Sequence, residues 1–232
     1  MIFLLLVVLL LLFPMVLVML LPVGFGVQSV ASLVTMPAQI LAVARDGRRR
    51  RNHALEHATV NILEQHYGTR VQFGGLAERD GFLIMGAAAN PEVILAAARE
   101  GLSRLKAGEW RLALHPRCGT TLVSGQLIAA LTFLTLVLLT KQLSIVWVLV
   151  ALAVAWWWAR PLSLFLQRFV TTSADVRSVY VDDIVSERPT NLLALMIGGG
   201  RPTRFKIRTH EFAISSNVET STPAAPRRYR AY

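Results

Sequence analysis

The chain has 232 residues, is 54% hydrophobic and only 16% charged, and carries a net charge of +10. A soluble globular domain carries more charge than this, and here the apolar residues are gathered into a few long runs, which excludes an ordinary soluble protein and points to a membrane. The single cysteine, Cys118, excludes an intramolecular disulfide and fits a reducing compartment.

Met1 to Leu21 is almost purely apolar, and about 20 such residues cross a bilayer core. Pro14 lies inside the run and is a candidate kink. The first basic residue is Arg45, so the segment lacks the basic start of a signal peptide and reads as a retained membrane helix, residues 1–26. Val27 to Ala44, with scattered apolar residues and Pro37, reads as a short interfacial helix. "RDGRRRRN" (Arg45–Asn52) completes a linking stretch over residues 27–51. Arginines beside a membrane helix set topology and attract anionic lipid, and they are read that way rather than as a nucleic-acid site.

Residues 52–121 read as a small α+β unit. Asn52 is a candidate cap for a helix from about His53 to Tyr67, stopped by Gly68. "RVQFGG" and "GFLIMG", separated by "LAERD", read as two strands of a hairpin. "NPEVILAAAREGLSRLKAGE" reads as a helix capped by Asn90 with Pro91 in its first turn and an apolar face of Ile94, Leu95, Ala98, Leu102 and Leu105. "WRLALHPRCGT" reads as a strand and a tight turn. A core of about 70 residues is small, and a bound metal or a membrane surface would support it.

Residues 122–159 form a second apolar block, too long for one span. "TKQLS" (Thr140–Ser144) breaks it into a hairpin of Leu122–Leu139 and Leu143–Ala159, with Trp156, Trp157 and Trp158 at the far end, where indoles favour headgroups. Basic residues prefer the cytoplasmic side. The 12 Lys and Arg from Arg45 to Arg117 and the 11 from Arg160 onward therefore put the α+β unit and the tail in the cytoplasm, with Lys141 and the N-terminus outside. The expected fold class is a three-span helical protein of the inner or plasma membrane with a small cytoplasmic α+β metal-binding domain. Residues 160–212 read as an interfacial and tail region. Within it, Gln167, Thr171, Thr172, Ser173 and Asp175 read as a polar cap rather than as part of a site. "GGGRPTRFK" lacks the pattern of a phosphate loop, and residues 213–232, rich in Ser, Thr and Pro, read as disordered.

The chemistry concentrates in two short pairs. In "HALEH", His53 and His57 are four apart and share a helix face, with Glu56 beside them. H-x-x-E-H is the reversed form of the zincin helix motif, in which two histidines bind zinc and the glutamate handles a proton. "HPRCGT" sets His115 and Cys118 three apart, and imidazole and thiolate are both good zinc ligands. The candidate zinc ligands are therefore His53, His57, His115 and Cys118, and Glu56 is the candidate general base. Glu64, two turns after His57, is either an orienting partner or a surface charge. His66 reads as a helix C-terminal residue and His210 as part of the tail. If all four ligands bind, the site is closed and structural. If one stays free, water takes its place and hydrolysis becomes available.

"RNHALEHATVNIL", "GFLIMG", "LSRLKAGEWRLALHPRCGTTLV" and "RFVTTSADV" resemble the bacterial membrane proteins of domain of unknown function 6391, frequent in cyanobacteria, over about Arg48 to Ile184. The two anchors also resemble those of a second membrane family, domain of unknown function 1385. The resemblance implies an integral membrane protein with this small domain ahead of a hairpin, and no assigned activity. The inverted zincin peptidases share only His53, Glu56 and His57, and they take a distant glutamate as third ligand. Two functions stand side by side: a membrane-bound zinc-dependent hydrolase or peptidase, and a non-enzymatic scaffold with a structural zinc. The expected partners are the lipid bilayer and a membrane protein or peptide, with no nucleic acid. The sequence is silent on oligomeric state.

Overall fold

The computed structural model describes residues 2–68, 73–86, 90–187 and 204–212. It is mostly helical, with a small sheet. Three of its helices are long and apolar enough to cross a membrane.

Helix α1 (Ile2–Arg45) is one continuous helix containing Pro14, Pro22 and Pro37. The expected break before an interfacial helix at Val27 is absent. The run is apolar enough to cross a membrane, and in such surroundings an opened helix would leave its backbone polar groups without partners. Phe25 of α1 meets Phe133 of α4 (Gly119–Thr140) edge-on at 5.0 Å, and Gly26 lets the two helices approach there. Helix α5 (Ile145–Leu166) completes the expected hairpin, capped by Ser144. The turn places Lys141 in the left-handed region, and Trp156, Trp157 and Trp158 face outward from the bundle. A short π-helical turn, Gln167–Thr171, follows α5.

Helix α2 (Gly47–Tyr67) starts a turn and a half earlier than expected. Its cap is Asp46, whose side chain accepts the Arg49 N–H at 3.2 Å. Arginine is a good helix former, so the basic run joins the helix instead of ending before it. Asn52 is buried mid-helix, where it donates to the Glu78 and Arg79 carbonyls and accepts from Thr209. Its neighbours are also committed: Arg51 forms a two-bond pair with Glu211, and Arg50 donates to the Thr172 carbonyl.

Strands β1 (Gly74–Ala77) and β2 (Gly81–Met85) form the expected hairpin, with β1 starting later than the sequence suggested; residues 70–72 of that stretch lie outside the described residues. Helix α3 (Pro91–Lys106) is capped by Asn90, as read from the sequence. Two corrections follow. Residues Trp110–Ala113 form a 3-10 turn rather than a strand. The reason is visible in their acceptors: the carbonyls of Leu112, Ala113 and Leu114 all bond side chains of α2 and none is left for a sheet. The region read as tail supplies two more strands, β3 (Val179–Glu187) and β4 (Arg204–Glu211). The sheet is antiparallel in the order β1-β2-β4-β3, with Phe82 opposite Ile207.

One face of this sheet packs on α2 and α3 through Phe82, Ile84, Phe205, Ile207, Leu55 and Ile94, all buried. The helices cross closely at Gly101, where an added Cβ would sit 3.0 Å from that of Ala58. The glycine-rich segment before Arg204 and residues 213–232 lie outside the described residues.

Candidate metal centre

Helix α2 presents two working faces. One, at spacings of four and three, carries His53, His57, Asn61 and Glu64 toward the Trp110–Cys118 turn. The other carries Arg49, Glu56 and Val60 toward β1, with His53 between the two. Asn61 fixes the turn by donating from its amide to the carbonyls of both Leu112 and Leu114 at 3.0 Å.

His53, His57 and Cys118 come together, with their ligand atoms all within 4.8 Å of one another. His53 Nδ1 lies 2.9 Å from the Thr171 carbonyl and His57 Nδ1 lies 2.7 Å from the Ala113 carbonyl. A carbonyl only accepts, so each Nδ1 carries the proton and each Nε2 offers a lone pair; outer partners orient metal-binding histidines in this way. His53 Nε2 is 3.2 Å from Cys118 Sγ. His57 Nε2 is buried with no hydrogen-bond partner among the described residues, a costly state for an imidazole nitrogen that a bound cation would relieve. Two imidazoles and a thiolate suit zinc or a similar borderline-soft dication. The residues present therefore fit a metal.

Cys118 caps α4 and receives the Thr120 N–H at 3.4 Å. Burial pushes its thiol up from the ordinary range. Burial also holds His57 well below the usual imidazole range, so it stays neutral and able to bind a cation.

His115, the fourth candidate, is next to this group but outside it. Its ring centroid is 5.9 Å from that of His57, and its Nε2 is 3.4 Å from Glu64 Oε2. Burial lowers its basicity, with Glu64 acting in the opposite sense. Glu64 also accepts from Arg117 at 2.5 Å, so it anchors the turn. Gln167 clamps the same turn from the end of α5. It is fully buried, accepts the His115 N–H at 2.8 Å and donates to the His115 carbonyl at 3.0 Å. Gln167 and Thr171 thus reach the histidine cluster, where the sequence had suggested a helix cap.

Glu56 is almost fully buried. Burial pushes its carboxyl up to about 8, with His53 pulling back and Cys118 adding to the rise. It packs against Gly75 so closely that a Cβ there would sit 2.2 Å from Glu56 Oε1. Glu56, His53, His57 and Cys118 share the wall of a cavity of about 210 Å³, together with Arg49 and strand β1. Cys118 directly precedes α4 and Thr171 follows α5, so the site sits where the apolar helices join the α+β unit. His66 meets Tyr67 edge-on and His210 pairs with Asp182, and neither belongs to the cluster.

Sequence reasoning missed Asn61, Arg49, Gly75 and the Thr171 carbonyl. Asn61 alone left a signal, standing four residues after His57 on the same face. A main-chain carbonyl leaves none.

No solved structure matches this chain. An uncharacterized protein of Picosynechococcus sp. (strain PCC 7002) is 33% identical over 138 residues, which cover 53% of this chain and 65% of that relative. The family model described as Domain of unknown function (DUF6391) matches residues 48–184, a stretch that contains all three converging side chains, the buried Glu56 and the hairpin. The chain belongs to the DUF6391 family.

Proposed function

We propose that this protein is a metal-dependent hydrolase of the plasma membrane, with its α+β unit on the cytoplasmic side. His53, His57 and Cys118 hold zinc, and Glu56 is the general base. The observation that carries this reading is the uneven commitment of the candidate ligands. Three ligand atoms converge within 4.8 Å, while His115 is held by Glu64 and Gln167. A metal held by those three groups would have room for a water beside the cavity whose wall holds the Glu56 carboxyl, as catalytic rather than structural zinc sites do.

A dication bound there would polarise an acyl carbonyl and acidify a water molecule. The protein's own groups do the rest. The Thr171 and Ala113 carbonyls hold the two imidazoles in the tautomer that binds. Glu56, one residue before His57 and turned toward β1, is placed to take the water proton and return it to the leaving group once the positive charge of a bound dication has lowered its carboxyl from about 8 into the ionised form. The buried surroundings keep its interactions strong. The orientation rests on the basic residues flanking α1 and α5, which favour the cytoplasmic face.

A second reading keeps zinc but not catalysis. His115 is close enough to His57 that a change of rotamer and the loss of its Glu64 contact would make it a fourth ligand, closing the site into a structural centre for a membrane scaffold.

Metal analysis with X-ray absorption on the purified full chain, together with Glu56→Gln, tests both. The hydrolase predicts two nitrogen ligands, one sulfur and an oxygen, with Glu56→Gln retaining metal while hydrolysis falls by about 10²–10⁴-fold. Three nitrogens and one sulfur, with Glu56→Gln behaving as wild type, would establish the scaffold.

A further inference from the structure

We propose that the ligand of this site is an extended polypeptide segment that adds as a strand to the free edge of β1 by hydrogen-bonding to Gly75. As a substrate assignment, this rests on the hydrolytic reading above. As a binding surface, it stands on the sheet alone.

The argument begins with the ladder. In an antiparallel pair, the N–H and C=O of one residue point to the same side, and successive residues alternate. Glu78 N–H donates to the Gly81 carbonyl across the β1–β2 turn at 2.9 Å, so Glu78 faces β2. Counting back, Leu76 faces β2, while Ala77 and Gly75 face outward. The other side of β2 gives the same answer. Asp80 accepts the Thr209 N–H, so two residues on Phe82 also turns toward β4, and it cannot bond Ala77 opposite it.

β1 is the first strand in the sheet order, so this outward side has no strand neighbour among the described residues. The Ala77 carbonyl on that side is taken by Arg49 Nε at 3.1 Å. The N–H and C=O of Gly75 have no partner among the described residues. One donor and one acceptor, set side by side on an extended backbone, are complemented by the same pair on another extended backbone. Exposed sheet edges bind peptides in this way. A phosphate or sulfate headgroup carries acceptors only and would leave the Gly75 carbonyl unpaired. The nearby cations that would favour such a headgroup, Arg49 and Arg117, are already bonded to Ala77 and Glu64.

The edge is also in the right place. Gly74 and Gly75 line the cavity that contains Glu56 and the three converging ligands. Neither has a side chain to hold an incoming strand away. Glu56 rests against the α-carbon of Gly75, and paired strands lie about 4.8 Å apart. A residue bonded to Gly75 therefore has its own peptide group beside Glu56. The edge is short and glycine-rich, so it fixes the direction and depth of a bound chain by main-chain contacts while imposing little on its side chains.

The test uses the full-length protein in detergent, metal-free and cobalt-loaded. The probes are a pool of capped random hexapeptides, a capped tetra-alanine hydroxamate, the same hydroxamate methylated at each backbone nitrogen in turn, and acetohydroxamate. Amide exchange reads the strand and cobalt absorption reads the metal. The expected result is that the hexapeptide pool slows exchange of the Gly75 amide at least tenfold, with or without metal. One N-methylation should weaken the tetra-alanine hydroxamate at least tenfold and leave the others close to the parent. An unprotected Gly75 amide, or N-methyl analogues that all bind like the parent, would overturn the strand proposal even if acetohydroxamate shifts the cobalt spectrum. An unshifted spectrum with a protected amide would instead overturn the hydrolytic reading and leave the peptide edge standing. If Gly75 is already protected in a dimer without any peptide, the edge pairs with a second copy and the proposal fails.

Discussion

The two halves of the metal centre are built on opposite plans. On α2, both histidines turn Nε2 into the site, because a helix fixes residues four apart on one face and each Nδ1 finds a backbone carbonyl. In the 115–118 turn the two candidates part. Cys118 turns in as the cap of α4, and His115 turns toward Glu64. A regular element transmits its spacing to its side chains. A turn does not, and its side chains follow whichever partner competes best.

The largest expected effect sets the two halves against each other. His57→Ala and Cys118→Ser should each lower zinc affinity by more than about 100-fold, while His115→Ala should change it by less than about threefold. Zinc competition titrations on the full chain measure all three. A His115→Ala variant that loses metal would show that the turn supplies two ligands and that the halves are alike.

A smaller effect is expected at the clamp. Gln167→Leu leaves the buried N–H of His115 unpaired, while the His115 carbonyl keeps only the Cys118 N–H at 3.4 Å, which costs about 1–3 kcal/mol. Zinc affinity should fall by about 10–100-fold, because the turn carrying Cys118 loses its anchor. X-ray absorption of the variant should keep both nitrogen ligands and weaken the sulfur contribution. Loss of nitrogen instead would mean that Gln167 supports the helix half.

Asn61→Ala removes two of the bonds that tie the turn to α2. It should cost about 1–2 kcal/mol in denaturant unfolding while lowering zinc affinity less than Gln167→Leu does. The reverse order would place the hinge of the site on α2.

The smallest effect lies away from both halves and calibrates them. Lys206 bonds Glu78 and Asp80 at the sheet surface. The hydrogen bond from Lys206 holds Asp80 below its ordinary value. An acid with a lowered folded value contributes stability above its unfolded value of 3.8, and that stability is lost as the pH falls through the folded value. Lys206→Met should therefore cost less than about 1 kcal/mol at neutral pH, nothing in strong acid, and no metal at any pH. Urea titrations at pH 7 and pH 2.5 check this.

Much of the architecture follows from local pattern. Three apolar runs form three long helices, Asn90 and Pro91 open α3, and "GFLIMG" is a strand. The pair His53 and His57, with Glu56 beside it, is read from helical spacing alone. The missed elements share one cause, which is dependence on distant partners. β3 and β4 look like a charged tail until Phe205 and Ile207 meet the core over β2. Trp110–Ala113 has the pattern of a strand until α2 takes its carbonyls. α1 carries prolines that would end a helix in water, yet it runs through them as one helix apolar enough to cross a membrane, where an opened backbone would lack partners.

The sequence by itself determined which atoms are able to bind a metal, since imidazole and thiolate chemistry and the four-residue repeat of a helix are local properties. Only the tertiary structure decided which of them come within reach of one another. Cys118 and not His115 joins the pair on α2, because Glu64 and Gln167, brought from other helices, hold His115 outside. The side on which Gly75 presents its backbone was likewise decided by sheet order, because a strand has a free edge only once its neighbours are in place.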